Sequence, residues 1–338
     1  PTFNVIQGPN AQGKTSLLEA IYFLTTGKSF RGAQTSQLIC HGADHFYLEA
    51  RFVKRGIDQV LRATCSASER KLVYNSTLLR GNVHLLGLLQ GVIASPDDVS
   101  LVKGGPILRR QYLDLQIAQV DPLYVYHLTR YTRALRQRNC LLRMKQELTI
   151  EGWEREMALS AVYVTRQRAL AVQDLQESLS GIYGRLTGAA EPFSIEYKST
   201  AGSRADETYF LELYKKCRKR EMDFGATLYG PHKDDLLITV EGRDVRSYAS
   251  EGQQRTCVAG LRFAEWERLN EMGDAKPIML IDDAGMSFDE RRCSLLADYL
   301  NTQSQVFLTT TSASWAERLN VPGISIDQIK TRLAPLHS

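Results

Sequence analysis

The sequence predicts an α/β fold with two lobes, in which one lobe is assembled from both chain ends and a second, mainly helical lobe is inserted between them in the sequence. Three observations predict it. A glycine-rich loop lies between a β-prone run and an apolar helix near the start, an apolar run ends in two carboxylates near residue 280, and Lys14 and Ser250 are 236 residues apart. A minimal nucleotide-binding lobe does not need that separation. We expect residues 1–95 and 226–338 to form the lobe built from both ends, and residues 96–225 to form an inserted helical lobe with a short arm.

Composition is that of an ordinary globular protein. The chain has 338 residues, of which 43% are hydrophobic and 24% charged, enough for one large domain or two smaller ones. No window approaches the roughly 18 consecutive apolar residues of a membrane span, and the start carries no secretory signal pattern. The six cysteines lie far apart, without a CxxC pair, which is typical of reduced thiols. We therefore expect a cytoplasmic protein without a membrane partner, and native residues before Pro1.

The first chemical motif is the segment 8–15, which matches the pattern GxxxxGK[ST]. A β-prone run (3–7) precedes it and a helix-prone run (16–24) follows, which is the context that a phosphate cradle requires. Backbone N–H groups and the helix dipole then converge on a polyphosphate. Lys14 is expected to reach the β- and γ-phosphates, and the Thr15 hydroxyl to bind Mg²⁺. The predicted nucleotide-binding residues here are Gly8, Asn10, Gly13, Lys14, Thr15 and Ser16.

The second motif is the apolar run 277–281 with the carboxylates Asp282 and Asp283 after it. Consecutive apolar residues are typical of a central parallel strand that is covered on both faces. Asp282 is predicted to join Thr15 in the Mg²⁺ shell, and Asp283, with Lys14, to be catalytic by orienting or deprotonating the attacking water. Acidic turn residues after a strand are the alternative in isolation, and the phosphate loop elsewhere in the chain weakens it.

The third motif, Ser250-Glu-Gly252-Gln253, opens an apolar helix and matches the signature sequence of ABC-type ATPases. A helix N-terminus is suited to bind phosphate. In that architecture the signature contacts the nucleotide of the opposite subunit, so it predicts an ATP-dependent homodimer. An ordinary N-capped helix is the alternative. A γ-phosphate sensor is expected at Thr310 or Thr311, where ABC transporters usually carry His.

Together these motifs resemble the RecF family of bacterial recombination-repair ATPases, within the SMC-like ABC group. The resemblance is carried by segments spread over nearly the whole chain. They are 8–16, 28–31, 95–98, 103–106 with Arg109, Arg110 and Asp114, 138–139, 229–236, 250–256, and 280–283 with Asp289, Arg291 and Arg292. The Pro-Asp-Asp block at 96–98 and the Gly-Pro-His-Lys-Asp-Asp block at 230–235 are typical of this family more than of ABC ATPases in general. The expected fold is therefore an ABC/SMC-type P-loop ATPase head with an inserted helical lobe.

One departure from the family pattern follows the acidic pair. Where the family usually shows Ser-Glu-Leu-Asp, this chain has Met286-Ser287-Phe288-Asp289. That segment resembles the D-loop, which crosses the dimer interface and helps to place the attacking water. The departure bears on the hydrolysis rate and gives weight to a second hypothesis, a nucleotide-switched scaffold with negligible hydrolysis. A transporter ATPase subunit is a third hypothesis, which predicts a membrane-protein partner and no DNA affinity.

The inserted segment carries a basic stripe. Nine basic residues against two acidic ones between positions 103 and 145 give a local excess of +7, whereas the whole chain carries only +4. On a helix, the predicted DNA-binding residues Arg130, Arg133, Arg136 and Arg143 lie opposite an apolar stripe. A solvated basic face is the alternative to a DNA surface. No base-reading module is present, so binding would be to phosphates, salt-dependent and independent of sequence.

The resemblance adds what the residues alone do not give. It implies a weak, DNA-stimulated ATPase with ATP and Mg²⁺ as cofactors, acting in recombinational repair, replication and the SOS response. It also implies dimerisation on ATP at gapped DNA or single-strand/double-strand junctions, slow hydrolysis that resets the cycle, and the partners RecR and RecO. The roles of two residues stay open. Arg31 either contacts the nucleotide or forms a structural pair with another side chain, and His232 either belongs to a structural turn or takes part in the chemistry.

Overall fold

The computed structural model describes residues 3–188, 191–202, 206–284, 290–300 and 305–333. Within them the strands are β1 (Phe3–Gln7), β2 (His45–Lys54), β3 (Ile57–Ser66), β4 (Arg70–Tyr74), β5 (Thr77–Leu79), β6 (Gly91–Ala94), β7 (Phe193–Lys198), β8 (Asp235–Val240), β9 (Arg243–Asp244), β10 (Ile278–Ile281), β11 (Gln305–Thr310) and β12 (Gly323–Ser325). The α-helices are α1 (Lys14–Thr26), α2 (Val99–Lys103), α3 (Pro106–Ala118), α4 (Pro122–Arg143), α5 (Ile150–Thr187), α6 (Glu207–Phe224), α7 (Val245–Tyr248), α8 (Glu251–Met272), α9 (Glu290–Leu300), α10 (Ser314–Arg318) and α11 (Ile326–Leu333).

The chain divides into two compact units. The first unit comprises Pro1–Val99, Ser178–Glu191 and Ala249–Ser338, and the second comprises Ser100–Glu177 and Pro192–Tyr248. Both ends of the chain thus belong to the first unit. The domain boundaries expected from the sequence, at 95/96 and 225/226, stay a prediction.

A parallel sheet forms the centre of the first unit. Among the described residues its strand order is β12-β1-β11-β10-β6, and every neighbouring pair is parallel. All four residues of β10 are buried, as predicted for a central strand that is covered on both faces. Because the strands are parallel, their carboxyl ends meet at one edge of the sheet. The loop after β1 and the residues that follow β6, β10 and β11 are therefore neighbours in space.

A second sheet in the first unit is antiparallel, with the order β2-β3-β4-β5 in the described residues. Inward and outward residues alternate along β3, where Leu61, Ala63 and Cys65 are buried and the residues between them are partly exposed. This inward face packs on Phe23 and Leu24 of α1. The helix that follows the phosphate loop is thereby held by apolar contacts along its C-terminal half.

The second unit is mainly helical, as expected of the insertion, and also contains the described antiparallel strands β7-β8-β9. The predicted apolar stripe of α4 is confirmed, since Tyr124, Tyr131 and Leu142 are buried. Tyr131 and Ala134 pack with Phe210 and other residues in one core cluster. The helical segment is interrupted between Arg143, the last residue of α4, and Ile150, the first residue of α5.

In the part of the chain that the structure describes, no helix combines the length and the apolar character needed to cross a membrane. The described residues include all six cysteines, and none of these forms a disulfide bond.

Candidate nucleotide-binding site

A cleft of about 380 Å³ opens at the carboxyl edge of the parallel sheet. This volume lies within the range of about 300–1,000 Å³ that is usual for small-molecule sites. Seven residues predicted from the sequence line it: Asn10, Gly13, Lys14, Thr15, Ser16, Asp282 and Asp283. The first and second motifs therefore meet in one site, although Thr15 and Asp282 are 267 residues apart in the sequence.

The glycine loop is shaped by its backbone and closed by Lys14. Gly13 caps α1 with φ +87°, a left-handed conformation that favours glycine. Gly8, a predicted nucleotide-binding residue, does not line the cleft. Its position leaves no room for a side chain, because a Cβ there would lie 2.7 Å from the Cγ2 atom of Ile326. Lys14 is 7% exposed and donates hydrogen bonds of 2.8 Å to the carbonyls of Gly8 and Pro9. A buried ammonium group at the start of α1 is suited to meet phosphate oxygens.

Two hydroxyls and a carboxylate converge beside Lys14. The Thr15 hydroxyl donates to Asp282 Oδ1 at 3.0 Å, and the Thr309 hydroxyl donates to the same oxygen at 2.8 Å. Among the described residues no group of three or more His, Cys, Asp or Glu side chains could hold a metal by itself. One hydroxyl and one carboxylate oxygen fit Mg²⁺, which usually keeps several waters and binds through one or two protein groups plus substrate phosphates.

Asp283 follows Asp282 in an unusual backbone conformation. Its φ is +55°, and its N–H donates to the Thr309 hydroxyl at 2.9 Å. The next N–H, that of Ala284, donates to the Thr309 carbonyl at 2.9 Å. Burial, together with the neighbouring charge of Asp282, raises the pKa of Asp283, while Lys14 opposes that rise. A carboxylate with a raised pKa is suited to accept a proton from water.

The turn after α1 brings Arg31 to the cleft. Ser29 donates a short hydrogen bond to Glu19, and its hydroxyl accepts from the Arg31 N–H at 3.1 Å and the Ala33 N–H at 3.2 Å. Arg31 is exposed, lines the cleft, and has no carboxylate at ion-pair distance among the described residues. Of the two interpretations left open by the sequence, a nucleotide contact agrees better with this placement.

The segment after β6 is a wall of the cleft to which the sequence analysis assigned no role. Ser95, Pro96 and Asp97 line the cleft, and Asp98 closes the turn by accepting from the Ser95 N–H at 2.8 Å. The signal was available, because the Pro-Asp-Asp block follows an apolar β-prone run. Its position beside β10 became evident only from the strand order.

The threonine that lines the cleft lies one residue before the expected sensor positions, Thr310 and Thr311. Thr309 lines the cleft, whereas the hydroxyl of Thr310 donates to the carbonyl of Ala284 at 3.2 Å. Thr310 and Thr311 line a different pocket of about 180 Å³. Alternate residues of a strand point to opposite faces, so Thr309 and its neighbour Thr310 line different pockets.

The predicted signature residues lie outside this cleft. Ser250 is exposed and caps α8: its hydroxyl accepts from the Gln253 N–H at 3.3 Å, and the Gln253 side chain accepts from the Ser250 N–H at 3.0 Å. Both groups of this capping box are thus paired within the chain. Ser250, Gly252 and Gln253 do not line the cleft of their own chain. The departure at Met286 and Ser287 lies outside the described residues.

Three of the four predicted DNA-binding arginines are exposed in the second unit. Arg133, Arg136 and Arg143 have no carboxylate at ion-pair distance in the described part of the chain. Arg130 differs, because it forms a double hydrogen bond with Glu156 and lies 5.1 Å from the ring centre of Tyr126. Of the four predicted DNA-binding arginines, Arg130 is therefore paired with a carboxylate of the next helix.

The helix α6, which packs against α4, supplies further cations that sequence analysis missed. Lys215, Lys216, Lys219 and Arg220 are exposed, and within the described ranges none has an acidic partner at ion-pair distance. The run Lys-Lys-Cys-Arg-Lys-Arg was visible in the sequence. By contrast, Arg218 in the same run is 14% exposed and binds Glu154 at 2.6 Å.

The Gly-Pro-His-Lys-Asp-Asp block has a structural role in the second unit. The Thr227 carbonyl can only accept, so His232 donates to it through Nε2 at 3.0 Å, and Nδ1 accepts from the Tyr131 hydroxyl at 2.6 Å. Burial lowers the pKa of His232 to about 4. Asp235 accepts a bidentate pair from Arg109 at 2.7 and 2.9 Å. These engaged side chains favour the structural interpretation of His232.

Comparison with known proteins agrees with this geometry. A model of the RecF/RecN/SMC N-terminal domain matches residues 1–326. The chain is 51% identical over 325 residues to the DNA replication and repair protein RecF of Protochlamydia amoebophila (strain UWE25), covering 95% of this chain and 90% of that protein. A solved structure of the recombination mediator RecF with an ATP analogue in the RecFOR pathway matches with a TM-score of 0.85 at 30% identity, covering 95% of this chain and 88% of that one.

A more distant match shows the fold alone. The Smc head domain of Pyrococcus furiosus, solved with the C-terminal domain of ScpA, has a TM-score of 0.54 at 16% identity and covers 100% of this chain and 94% of that one. The expected ABC/SMC-type ATPase head is thereby confirmed, with a parallel sheet at its centre. On the family match, the identity and the coverage together, the chain belongs to the RecF family of the RecF/RecN/SMC proteins.

Proposed function

We propose that this chain is an ATP-dependent DNA-binding protein of recombinational repair. It dimerises on ATP at gapped DNA or single-strand/double-strand junctions and hydrolyses ATP slowly to reset. The observation that carries the proposal is the cleft in which Lys14, Thr15 and Asp282 converge with Asp283. The relatives named as RecF, and the ATP-analogue complex among them, support ATP as the nucleotide.

The cleft residues divide the work of nucleotide binding and hydrolysis. Lys14 exchanges its two carbonyl partners for phosphate oxygens, and Thr15 and Asp282 supply the protein ligands of Mg²⁺, which neutralises phosphate charge when bound. Asp283 orients the attacking water and accepts its proton, as its raised pKa allows. The resulting enzyme is a weak, DNA-stimulated ATPase.

Dimerisation follows from the position of the signature. Ser250 is exposed at the N-terminus of α8, Gly252 and Gln253 beside it are half-buried, and none of the three lines the cleft of its own chain. We propose that they contact the nucleotide of a second copy, so that two composite sites form with ATP between the subunits. The dimer then depends on ATP, because the polyphosphate is held by the Lys14 ammonium group of one copy and by the N–H groups at the α8 N-terminus of the other.

The DNA surface is proposed on α4 and α6. Arg133, Arg136 and Arg143 on α4, together with the exposed cations of α6, lack acidic partners in the described residues and are therefore available to phosphates. Binding of this kind is independent of base sequence and weakens steeply with salt. A cytoplasmic location is proposed on the family membership. The partners RecR and RecO are proposed on the same ground, and the relative described in the RecFOR pathway supports these two partners.

The dimer is tested first. Mass in solution is measured by light scattering with and without ATP and Mg²⁺, for the native chain, Lys14→Ala and Ser250→Arg. We expect a monomer that dimerises only with ATP, and two variants that stay monomeric. Ser250→Arg should still bind nucleotide, because Ser250 lies outside the cleft of its own chain. A native mass that is indifferent to ATP would refute the composite site.

DNA binding is tested by its salt dependence. We expect Arg133→Ala with Arg136→Ala to reduce the slope of log affinity against log salt by about one per lost phosphate contact. Arg51→Ala is the matched control, because this exposed arginine lies in the first unit and is paired with Glu49 at 2.8 Å. An unchanged slope in the double variant would remove α4 from the DNA surface.

The second candidate is a nucleotide-switched scaffold that recruits repair partners with negligible hydrolysis. The departure at Met286 and Ser287 favours it. Asp283→Asn removes the proposed base, and Lys14→Ala removes the phosphate contact. If Asp283→Asn leaves repair intact while Lys14→Ala abolishes it, ATP binding suffices and the scaffold replaces the enzyme.

A further inference from the structure

A buried ionic cluster joins α8, the helix that begins after the signature residue Ser250, to the turn that follows β6, within the first unit. The guanidinium group of Arg262 binds Asp98 at 2.6 and 3.2 Å and Glu265 at 2.9 Å. The side chains of Arg262, Asp98 and Glu265 are only 12%, 14% and 2% exposed. Burial raises the pKa of Glu265 to about 6, and Arg262 opposes this rise. The three residues form one ionic unit.

Asp98 also belongs to the turn that forms one wall of the nucleotide cleft. Its carboxylate accepts from the Ser95 N–H at 2.8 Å, and its own N–H donates to the Ser95 carbonyl at 3.1 Å. Ser95, Pro96 and Asp97 of the same turn line the cleft. One carboxylate is therefore shared between the turn that faces the nucleotide and the helix that carries the signature.

The helix can transmit a displacement over its whole length. Arg262 lies 12 residues after Ser250, a distance of about 18 Å along an α-helix. Most residues of α8 are buried, from Gln254 to Leu269, and close-packed interiors transmit strain rather than absorb it. A shift of the Ser95–Asp98 turn would thus move the N-terminus of α8 through Arg262.

We propose that Arg262 is a positioning residue that couples the nucleotide-facing turn to the signature helix. A nucleotide bound in the cleft then sets, through Arg262, the orientation of Ser250 towards the second copy. The inference rests on the proposed ATP-dependent dimer. An ionic cluster suits such a link better than an apolar contact, because its hydrogen bonds hold one defined geometry, whereas a buried ion pair contributes little net stability relative to an apolar replacement.

The test separates ATP binding from dimerisation. Arg262→Lys keeps the charge but loses the bidentate contact with Asp98. We measure ATP affinity with a fluorescent ATP analogue, dimer mass over a series of protein concentrations with ATP and Mg²⁺, and thermal stability. We expect ATP affinity to change by less than about threefold, while the dimer dissociation constant rises about tenfold or more.

Two further variants keep the test falsifiable. Asp98→Asn breaks the link from the other side and retains an acceptor for the Ser95 N–H, so it should reproduce the dimer defect even if Arg262→Lys folds poorly. Arg185→Lys is the matched control. Arg185 lies on α5 and binds Glu267 of α8 at 3.4 Å, but it does not line the cleft. It should dimerise like the native chain.

The outcomes distinguish the link from the function on which it rests. If the native chain dimerises with ATP and both Arg262→Lys and Asp98→Asn dimerise equally well, the link is refuted and the proposed function stands. Loss of ATP affinity, dimer and stability in equal proportion makes the cluster merely structural and refutes the link as well. A native chain that stays monomeric with ATP overturns the proposed dimer and the link together.

Discussion

Acidification should destabilise this protein through His232. The unfolded chain has an ordinary histidine pKa of about 6.5, whereas burial lowers the pKa of His232 in the folded chain to about 4. The folded state therefore binds fewer protons than the unfolded state between these values. The stabilising contribution is complete above about pH 6.5 and is lost as the pH falls towards about 4.

The magnitude follows from the difference between the two pKa values. At about 1.36 kcal/mol for each unit, the full contribution is about 3 kcal/mol, of which about 2 kcal/mol is lost between about pH 7 and pH 5. The free energy of unfolding is measured by urea denaturation across this range. His232→Gln is the comparison variant, because glutamine does not titrate and its amide can still donate to the Thr227 carbonyl.

The difference between the two proteins isolates this histidine, since the carboxylates titrate in both. We expect the native chain to lose about 2 kcal/mol more than His232→Gln between about pH 7 and pH 5. We also expect the variant to keep ATP hydrolysis and DNA binding near neutral pH. Parallel pH curves would refute the proposed burial of neutral His232, and loss of activity without loss of stability would restore a chemical role.

Three further substitutions test the packing around the site and in the second unit. Gly8→Ala should lower the free energy of unfolding by about 1–3 kcal/mol and weaken ATP binding, because the new Cβ overlaps Ile326. Ile326→Ala should restore ATP affinity in the double variant. Thr309→Val leaves the Asp283 N–H without its acceptor, so we expect about 1–3 kcal/mol of lost stability and slower hydrolysis; equal rates would contradict this. Arg138→Leu should cost about 3–5 kcal/mol in urea denaturation, because it strands Glu154 and Glu221 in the core; a cost no larger than that of Arg218→Leu would contradict it.

The nucleotide site was predictable in its parts because local chemistry specifies them. A phosphate loop requires glycine at a left-handed position, a lysine at the helix start and a hydroxyl after it, and these requirements are visible in residues 8–15. The strand before the acidic pair was equally visible, since β10 is apolar at each of its positions. Motifs of this kind depend on neighbours in sequence, so periodicity and residue type suffice to find them.

Other features depended on contacts between distant residues. Arg130 and Arg133 looked equivalent on one helical stripe, but Glu156 of the next helix pairs with Arg130. Arg138 was noted only as part of a family segment, yet it is fully buried between Glu154 and Glu221. A charge is free or paired according to which residues the tertiary structure brings within hydrogen-bond distance, and a helical projection does not contain that information.

By itself the sequence determined the phosphate loop, the acidic strand, the capped signature helix and the family to which the chain belongs. Each of the three motifs is encoded within a few consecutive residues, where backbone conformation and residue type are coupled, and the family is identified by several such segments along the chain. Only the tertiary structure decided that Ser95 and Thr309 face the nucleotide cleft and that Asp98 joins it to Arg262. Strand order and the alternation of side chains along a strand place these residues, and both are set by packing between segments far apart in the chain.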